Sequence, residues 1–330
     1  MLAFIRAFAY SVIVNRFIPN INLLRAQIFS AKGEYQRAEY FFKSALNSRT
    51  LNSSDRQRAL MDLSYAQFKL RKMEEAELSL RNLIFINPQK REAHLRLAKI
   101  QLWCGSPLDA SWTLKRAIKR GHNDHELVSF FLLAVCENGG PEYLLEEAYK
   151  LAIEKKDFTA DHQILNLAIA RYQIIKNDGV GGVNQIAKIA LASKAPFESV
   201  IAYAETLYAT NEIIQARNQL KRALLVSPDH PRLLSLLAET YLNGETTLYN
   251  PSYAAQLAAN SCQSSGWVSA RELHIYARAL LHCGDKTTAL MVANKAFAAG
   301  SRLLGSYSKV KEIERLISQL SSSNHHTLSF

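Results

Sequence analysis

One set of small and large apolar residues returns eight times along this 330-residue chain, at a spacing of roughly 34 to 39 residues. A period of that length constrains the fold more than any short motif, because it marks stacked helix-turn-helix units, each too small to bury its own apolar faces. The clearest copies run from Gln57 to Pro88, with Leu60, Leu63, Ala76, Leu80 and Leu83, and from Phe197 to Pro228, with Tyr203, Ala204, Leu207, Ala216, Leu220 and Ala223. Laid over one another, they place alanine, leucine, aromatic residue and proline at equivalent offsets. Alanine at close-contact positions lets helix axes approach, and the larger residues fill the space between.

Other copies carry the same order. The first starts near Pro19, with Ala26, Gly33, Tyr35, Ala38, Phe42 and Ala45; another starts at Arg91, with Leu97, Ala98, Gly105, Ala110, Leu114 and Ala117; the last runs from Ala270 through Tyr276, Ala277, Gly284, Ala289, Ala293 and Ala296. Three depart from it. The His125 copy keeps Gly139 but has Leu144 where alanine is usual, and the Asp161 and Pro231 copies hold extra residues around Asn177 to Gly182 and Gly244 to Pro251. The pattern resembles the tetratricopeptide repeat, and most of the chain is covered by it. The resemblance implies an all-α, right-handed superhelical solenoid of about eight repeats over residues 19–305, starting near 19, 57, 91, 125, 161, 197, 231 and 270. A repeat stack needs an end cap with a polar outer face. Residues 306–320 supply it, with Val310, Ile313, Leu316, Ile317 and Leu320 on one side and Lys309, Lys311, Glu312, Glu314 and Arg315 elsewhere; residues 321–330 are polar and expected to be disordered.

No Pro-, Gly- or Ser-rich linker interrupts the repeats, so one continuous solenoid is expected in place of separate domains. A hydrophobic fraction of 48% and a charged fraction of 21% exclude global disorder. Cys104, Cys136, Cys262 and Cys283 form no CxxC pair and fit buried thiols in a reduced compartment. The net charge of +11 is uneven: residues 1–120 hold 21 Lys or Arg against 9 Asp or Glu, and the rest hold 19 against 20. Such asymmetry points to an acidic partner, whether protein, nucleic acid or membrane surface, or to a solvated face on which Lys43, Arg81 and Lys115 recur at one helix position.

Residues 1–18 are apolar, with Arg6 and Arg16, and the first acidic residue is Glu34. A transmembrane helix needs about 20 apolar residues, and a secretory signal needs its positive charge ahead of the apolar run; neither fits. Packing on the first repeat, an organelle transit peptide and an interfacial membrane helix remain. The expected location is cytoplasmic, or peripheral on a membrane through residues 1–18.

Chemistry is sparse. The chain has no GxxxxGK[ST] loop, HExxH or GxSxG elbow. Gly179, Gly181 and Gly182 read as a flexible turn, since no lysine and Ser/Thr pair follows them. His122, His125 and Glu126 lack the i, i+4 spacing of helical metal ligands and read as a helix start capped by Asn123 or Asp124. No enzyme activity, cofactor or metal is therefore expected.

In proteins with the resembling repeat, the second, fifth, ninth, twelfth and thirteenth positions of each repeat face a concave groove. Those offsets fall on Arg58, Met61, Tyr65, Phe68 and Lys69, then on Glu92, Leu95, Lys99, Leu102 and Trp103. Tyr and Trp beside Lys and Arg make a partner-binding patch of Arg58, Met61, Tyr65, Phe68, Lys69, Leu95, Lys99 and Trp103. The sixth copy offers Glu198, Ile201, Glu205 and Tyr208, and the last offers Arg271, His274, Arg278 and His282. The Lys/Asn clamp that some of these repeats use for chaperone peptides is missing, since Leu23, Gln27, Asp62, Glu92 and Arg96 stand in its places. The implied function is a scaffold or adaptor for a peptide or helical segment of another protein. Alternatives are nucleic-acid binding by the basic first third and peripheral membrane assembly through residues 1–18.

Overall fold

The computed structural model describes residues 21–48, 51–138, 141–155, 162–176, 179–243, 248–301 and 307–325; the N-terminal segment 1–18 lies outside them. Every regular element among these residues is a helix. After α1, within residues 21–31, come α2 (Tyr35–Leu46), α3 (Ser53–Lys69), α4 (Met73–Ile86), α5 (Arg91–Trp103), α6 (Pro107–Lys119), α7 (His125–Asn138), α8 (Glu142–Glu154) and α9 (Gln163–Ile175). They continue as α10 (Gly179–Ala190), α11 (Phe197–Ala209), α12 (Ile213–Val226), α13 (Pro231–Leu242), α14 (Pro251–Ser264), α15 (Ala270–His282), α16 (Lys286–Gly300) and α17 (Val310–His325).

Two compact units make up the chain, one through Ile100 and one from Gln101 onward. The division falls inside α5, where the sequence shows no linker. In the first unit Ala26, Ala38, Phe42, Ala45, Ala59 and Ala66 are fully buried between the helices. In the second, consecutive helices pack in pairs, and α7, α9, α11, α13 and α15 also meet one another in succession. These odd-numbered helices thus form a row of their own. The last of the described helices, α17, covers α16 with Ile313, Leu316 and Leu320 buried, and it runs on to His325, past the Leu320 end expected of it.

Five of the turns inside the hairpins share one backbone conformation. Gly33, Gly105 and Gly284 have positive φ, and so do Arg71 and Asn211 at the matching places of the second and sixth pairs. Position, more than residue type, is what the repeat conserves there. Buried polar ties repeat as well: Ser79 Oγ donates to Gln67 Oε1 at 2.7 Å, and Thr113 Oγ1 donates to Gln101 Oε1 at 2.9 Å. Each tie joins the two helices of its own hairpin and satisfies both buried partners, which stabilises one register of packing.

Two expectations change. The Gly179–Gly182 cluster is no turn; it opens α10. A Cβ on Gly182 would lie 2.7 Å from Ala170 O and 2.6 Å from Ile174 Cγ1, so glycine is what lets α10 approach α9. Gly182→Ala gains about 1 kcal/mol of helix propensity, yet overpacking against backbone costs about 1–3 kcal/mol, and a net loss in melting temperature is expected by circular dichroism. An unchanged or raised value would show that α9 and α10 separate freely. Lys115, expected on a solvated face, is buried: its Nζ meets Glu147 at 2.5 Å and lies 5.6 Å from the ring centres of Trp112 and Tyr143. The lengthened seventh hairpin is held by buried Arg217, whose Nη2 donates to Thr240 O at 2.6 Å and Leu248 O at 2.9 Å while its guanidinium stacks 3.9 Å over Tyr241.

Candidate functional site

The row of odd helices in the second unit lines a cavity of about 410 Å³. Glu137 comes from α7, Arg171 from α9, Glu205 and Tyr208 from α11, Arg232 and Glu239 from α13, and Arg271 from α15. Helix geometry explains why these residues meet. Arg171, Glu205, Glu239 and Arg278 are each the ninth residue of α9, α11, α13 and α15, while Arg232 and Arg271 are each the second residue of theirs. Residues seven apart lie nearly two turns apart on one helical face. The same two offsets, repeated on neighbouring helices, therefore place a ladder of charge on one side of the row.

The ladder is paired across helices. Glu205 accepts from Arg171 Nη2 at 2.5 Å and from Arg232 Nε and Nη2 at 2.9 and 2.6 Å. Burial alone would raise its pKa, but Arg232 and Arg171 outweigh that and hold the carboxyl at about 2. Arg271 binds the fully buried Glu272 through Nε at 2.9 Å and Nη2 at 3.1 Å, and reaches Glu137 through Nη1 at 2.6 Å. Glu239 meets Arg278 Nη1 at 3.3 Å. Arg278 also reaches Asn243, whose amide donates to the Tyr208 hydroxyl.

The unit closes on itself around this cavity. Trp103 Nε1 donates to Ser264 O at 3.0 Å across 161 residues, and its ring packs 4.7 Å from that of His230. Gly105 sits so close to the α14–α15 turn that a Cβ there would lie 2.6 Å from Ser269 Oγ. A stack that contacted only nearest neighbours would leave its ends apart. Here the residues before α6 touch those that begin α15.

The residues expected to form the partner patch divide. In the first unit Arg58, Tyr65, Lys69 and Lys99 are exposed, Phe68 is half-buried, and Met61 and Leu95 are buried. Lys69 Nζ lies 5.5 Å from the Tyr65 ring centre, and Tyr65 meets Tyr35 edge-on at 6.0 Å. Trp103 belongs to the second unit, where its indole is spent on Ser264 and His230. Of the offsets read for the sixth and last repeats, Glu205, Tyr208 and Arg271 line the cavity. Arg171 and Arg232 do so as well, and sequence reasoning missed them; the same offsets applied to the Pro231 repeat give Arg232, whereas counted from Asp161 they pass over Arg171, because α9 begins two residues later, at Gln163.

Cys136 lines the cavity, but burial pushes its thiol up to about 12, so it is not a thiolate at neutral pH. His122 and His125 mark a helix start, where Asp124 Oδ1 accepts from Glu126 N at 3.1 Å and Leu127 N at 3.3 Å. The His125 ring stacks on His162 at 4.0 Å. Among the described residues no group of three His, Cys, Asp or Glu is placed to hold a metal, and no helix is long and apolar enough to cross a membrane.

Paired helices, left-handed hairpin turns and a row of inner helices define a helical-hairpin repeat protein. No protein-family model matches the sequence, and no curated protein matches it. Among solved structures, a chain of the APC/C hetero-tetramer Cut9–Hcn1 is similar over 92% of this chain and 63% of its own, with a TM-score of 0.65 and 15% identity. A tetratricopeptide repeat protein from Parabacteroides merdae (TM-score 0.42, 14% identity) and the TPR2AB domain of yeast Sti1 in complex with pHSP90 (0.33, 12%) each align over 92% of this chain and 98% of theirs. The fold is that of tetratricopeptide-repeat proteins; at these identities the likeness carries the fold alone.

Proposed function

We propose that the chain is a non-enzymatic scaffold that holds a segment of a partner protein against the inner faces of its helices. The observation that carries this reading is the cavity of about 410 Å³ in the second unit, lined by arginines and glutamates from successive inner helices together with Tyr208 and Tyr307. Such a lining suits directional hydrogen bonding to a polypeptide, and its buried thiol supplies no nucleophile. In the first unit, Arg58, Tyr65, Phe68, Lys69 and Lys99 offer a second contact of aromatic and cationic side chains.

Photo-crosslinking residues placed singly at Tyr208, at Tyr65 and at the outward Met291, which is 66% exposed, test the reading in native extract. The inner positions are expected to give polypeptide adducts that survive nuclease, and Met291 is not. Equal labelling at all three positions would reject the inner face as the working surface. Adducts that vanish with nuclease would move the account to nucleic acid and the basic first third of the chain.

A further inference from the structure

We propose that Arg171 and Arg232 form a carboxylate-recognition point in the cavity of the second unit, with Glu205 as the chain's own competing carboxylate. The inference rests on the reading that this cavity receives a partner segment, and it assigns the chemistry of that segment. A guanidinium carries five N–H donors. Arg171 uses one on Glu205, through Nη2, and Arg232 uses two, through Nε and Nη2. Among the described residues neither arginine has a buried donor without a partner, so the donors left over open onto the cavity that both residues line.

The ion pairs are unevenly shared along a lining whose charges balance, with the cationic surplus local to Arg171 and Arg232. Arg171 and Arg232 share Glu205, whereas Arg271 alone serves both Glu137 and Glu272, and Arg278 serves Glu239. Lys309 and Asp109 complete the charged lining. A second carboxylate between Arg171 and Arg232 would meet the planar forks that bind such groups bidentately. Glu205 already bridges the two forks, its Oε1 accepting from Nε and Nη2 of Arg232 and its Oε2 from Nη2 of Arg171.

The carboxylate can belong to an acidic side chain or to a chain terminus, and three short probes separate these sources. They are acetyl-triglutamate amide, acetyl-trialanine with a free carboxyl terminus, and acetyl-trialanine amide as the neutral control, titrated calorimetrically into the full chain. At least one acid probe is expected to bind more tightly than the neutral control. Arg232→Lys keeps the charge but loses the fork, and should weaken that binding by about tenfold or more. Glu205→Gln removes the internal competitor and should strengthen it, although it loses an ion pair and is expected to melt earlier.

Circular dichroism confirms that each variant is folded before it is titrated. Should Glu205→Gln fail to fold, Arg232→Lys and Arg171→Lys decide the question. Acid probes that bind no better than the neutral control overturn the proposal, as does unchanged affinity in the folded lysine variants. Crosslinks from Tyr208 to a partner together with silent acid probes would leave the scaffold reading standing and remove only this one.

Discussion

Arg271→Ala is expected to lower the stability of the second unit by about 3–5 kcal/mol, the range found when one partner of a buried ion pair is removed. The guanidinium is 11% exposed and neutralises Glu272, whose side chain is fully buried. Without it, Glu272 keeps Ser269 Oγ at 3.2 Å as a neutral donor, which does not replace a positive charge. The same truncation cuts the tie to Glu137, 134 residues away. A change of that size lowers the melting temperature by roughly 10 °C in a unit of this size.

The readout is favourable because Trp103, Trp112 and Trp267 are the chain's three tryptophans and all lie beyond Ile100. Their fluorescence reports the second unit, while circular dichroism reports both. The fluorescence transition should move and broaden in Arg271→Ala, because helices joined only to their neighbours unfold less cooperatively than a closed set. Arg271→Met with Glu272→Leu removes both charges and should recover more than half of the loss. Melting of Arg271→Ala within about 2 °C of the wild type would show that Glu137 and Glu272 are satisfied without it.

The fold class was legible because a repeat writes the same packing problem several times. Ala38, Ala76, Ala110 and Ala289 recur at sequence offsets that the structure buries completely, and no single misread turn erases that signal. What the sequence hid follows from the same logic. Left-handed turns at Arg71 and Asn211 carry no glycine to announce them. The glycines of α10 resemble a loop until the distance to Ala170 O shows a close helix crossing. The division inside α5 leaves no mark in composition, because a boundary within a helix needs no linker.

The candidate site was legible by halves. Offsets carried over from the resembling repeat named Glu205, Tyr208 and Arg271, which line the cavity. They also named Met61 and Leu95, which are buried, because a helix face narrow enough to hold a contact residue is narrow enough to turn it inward. Trp103 illustrates the harder case. An aromatic residue at a groove position reads as a binding anchor, yet its partners, Ser264 and His230, lie more than a hundred residues further on. Nothing in a local pattern announces that a stack closes on itself.

Acidification should destabilise the second unit well before its carboxylates protonate. Burial, followed by the nearby Arg271, holds His230 down to about 4, and burial with Arg278 does the same for His274. In the unfolded chain both titrate near 6.5. Between these values the unfolded state binds more protons than the folded one, so stability falls as pH drops from about 6.5 to 4. By pH 5 the loss is roughly 2 kcal/mol per histidine by this linkage. Glu205 acts in a lower window, since its folded value of about 2 lies below the ordinary 4.5; its contribution is present above 4.5 and fades only beneath it. His282 is also lowered by burial, but it is exposed and contributes less. His230→Phe isolates the contribution of one histidine, because the ring packs between Trp103 and Phe197 and its Nδ1 has no hydrogen-bond partner among the described residues. The variant should match or exceed wild-type stability at pH 5 and lose about half of the fluorescence-detected pH slope between 6.5 and 5. An unchanged slope would mean that His230 is hydrated and titrates normally in the folded chain, and that the contact between Trp103 and His230 opens more readily than its burial implies.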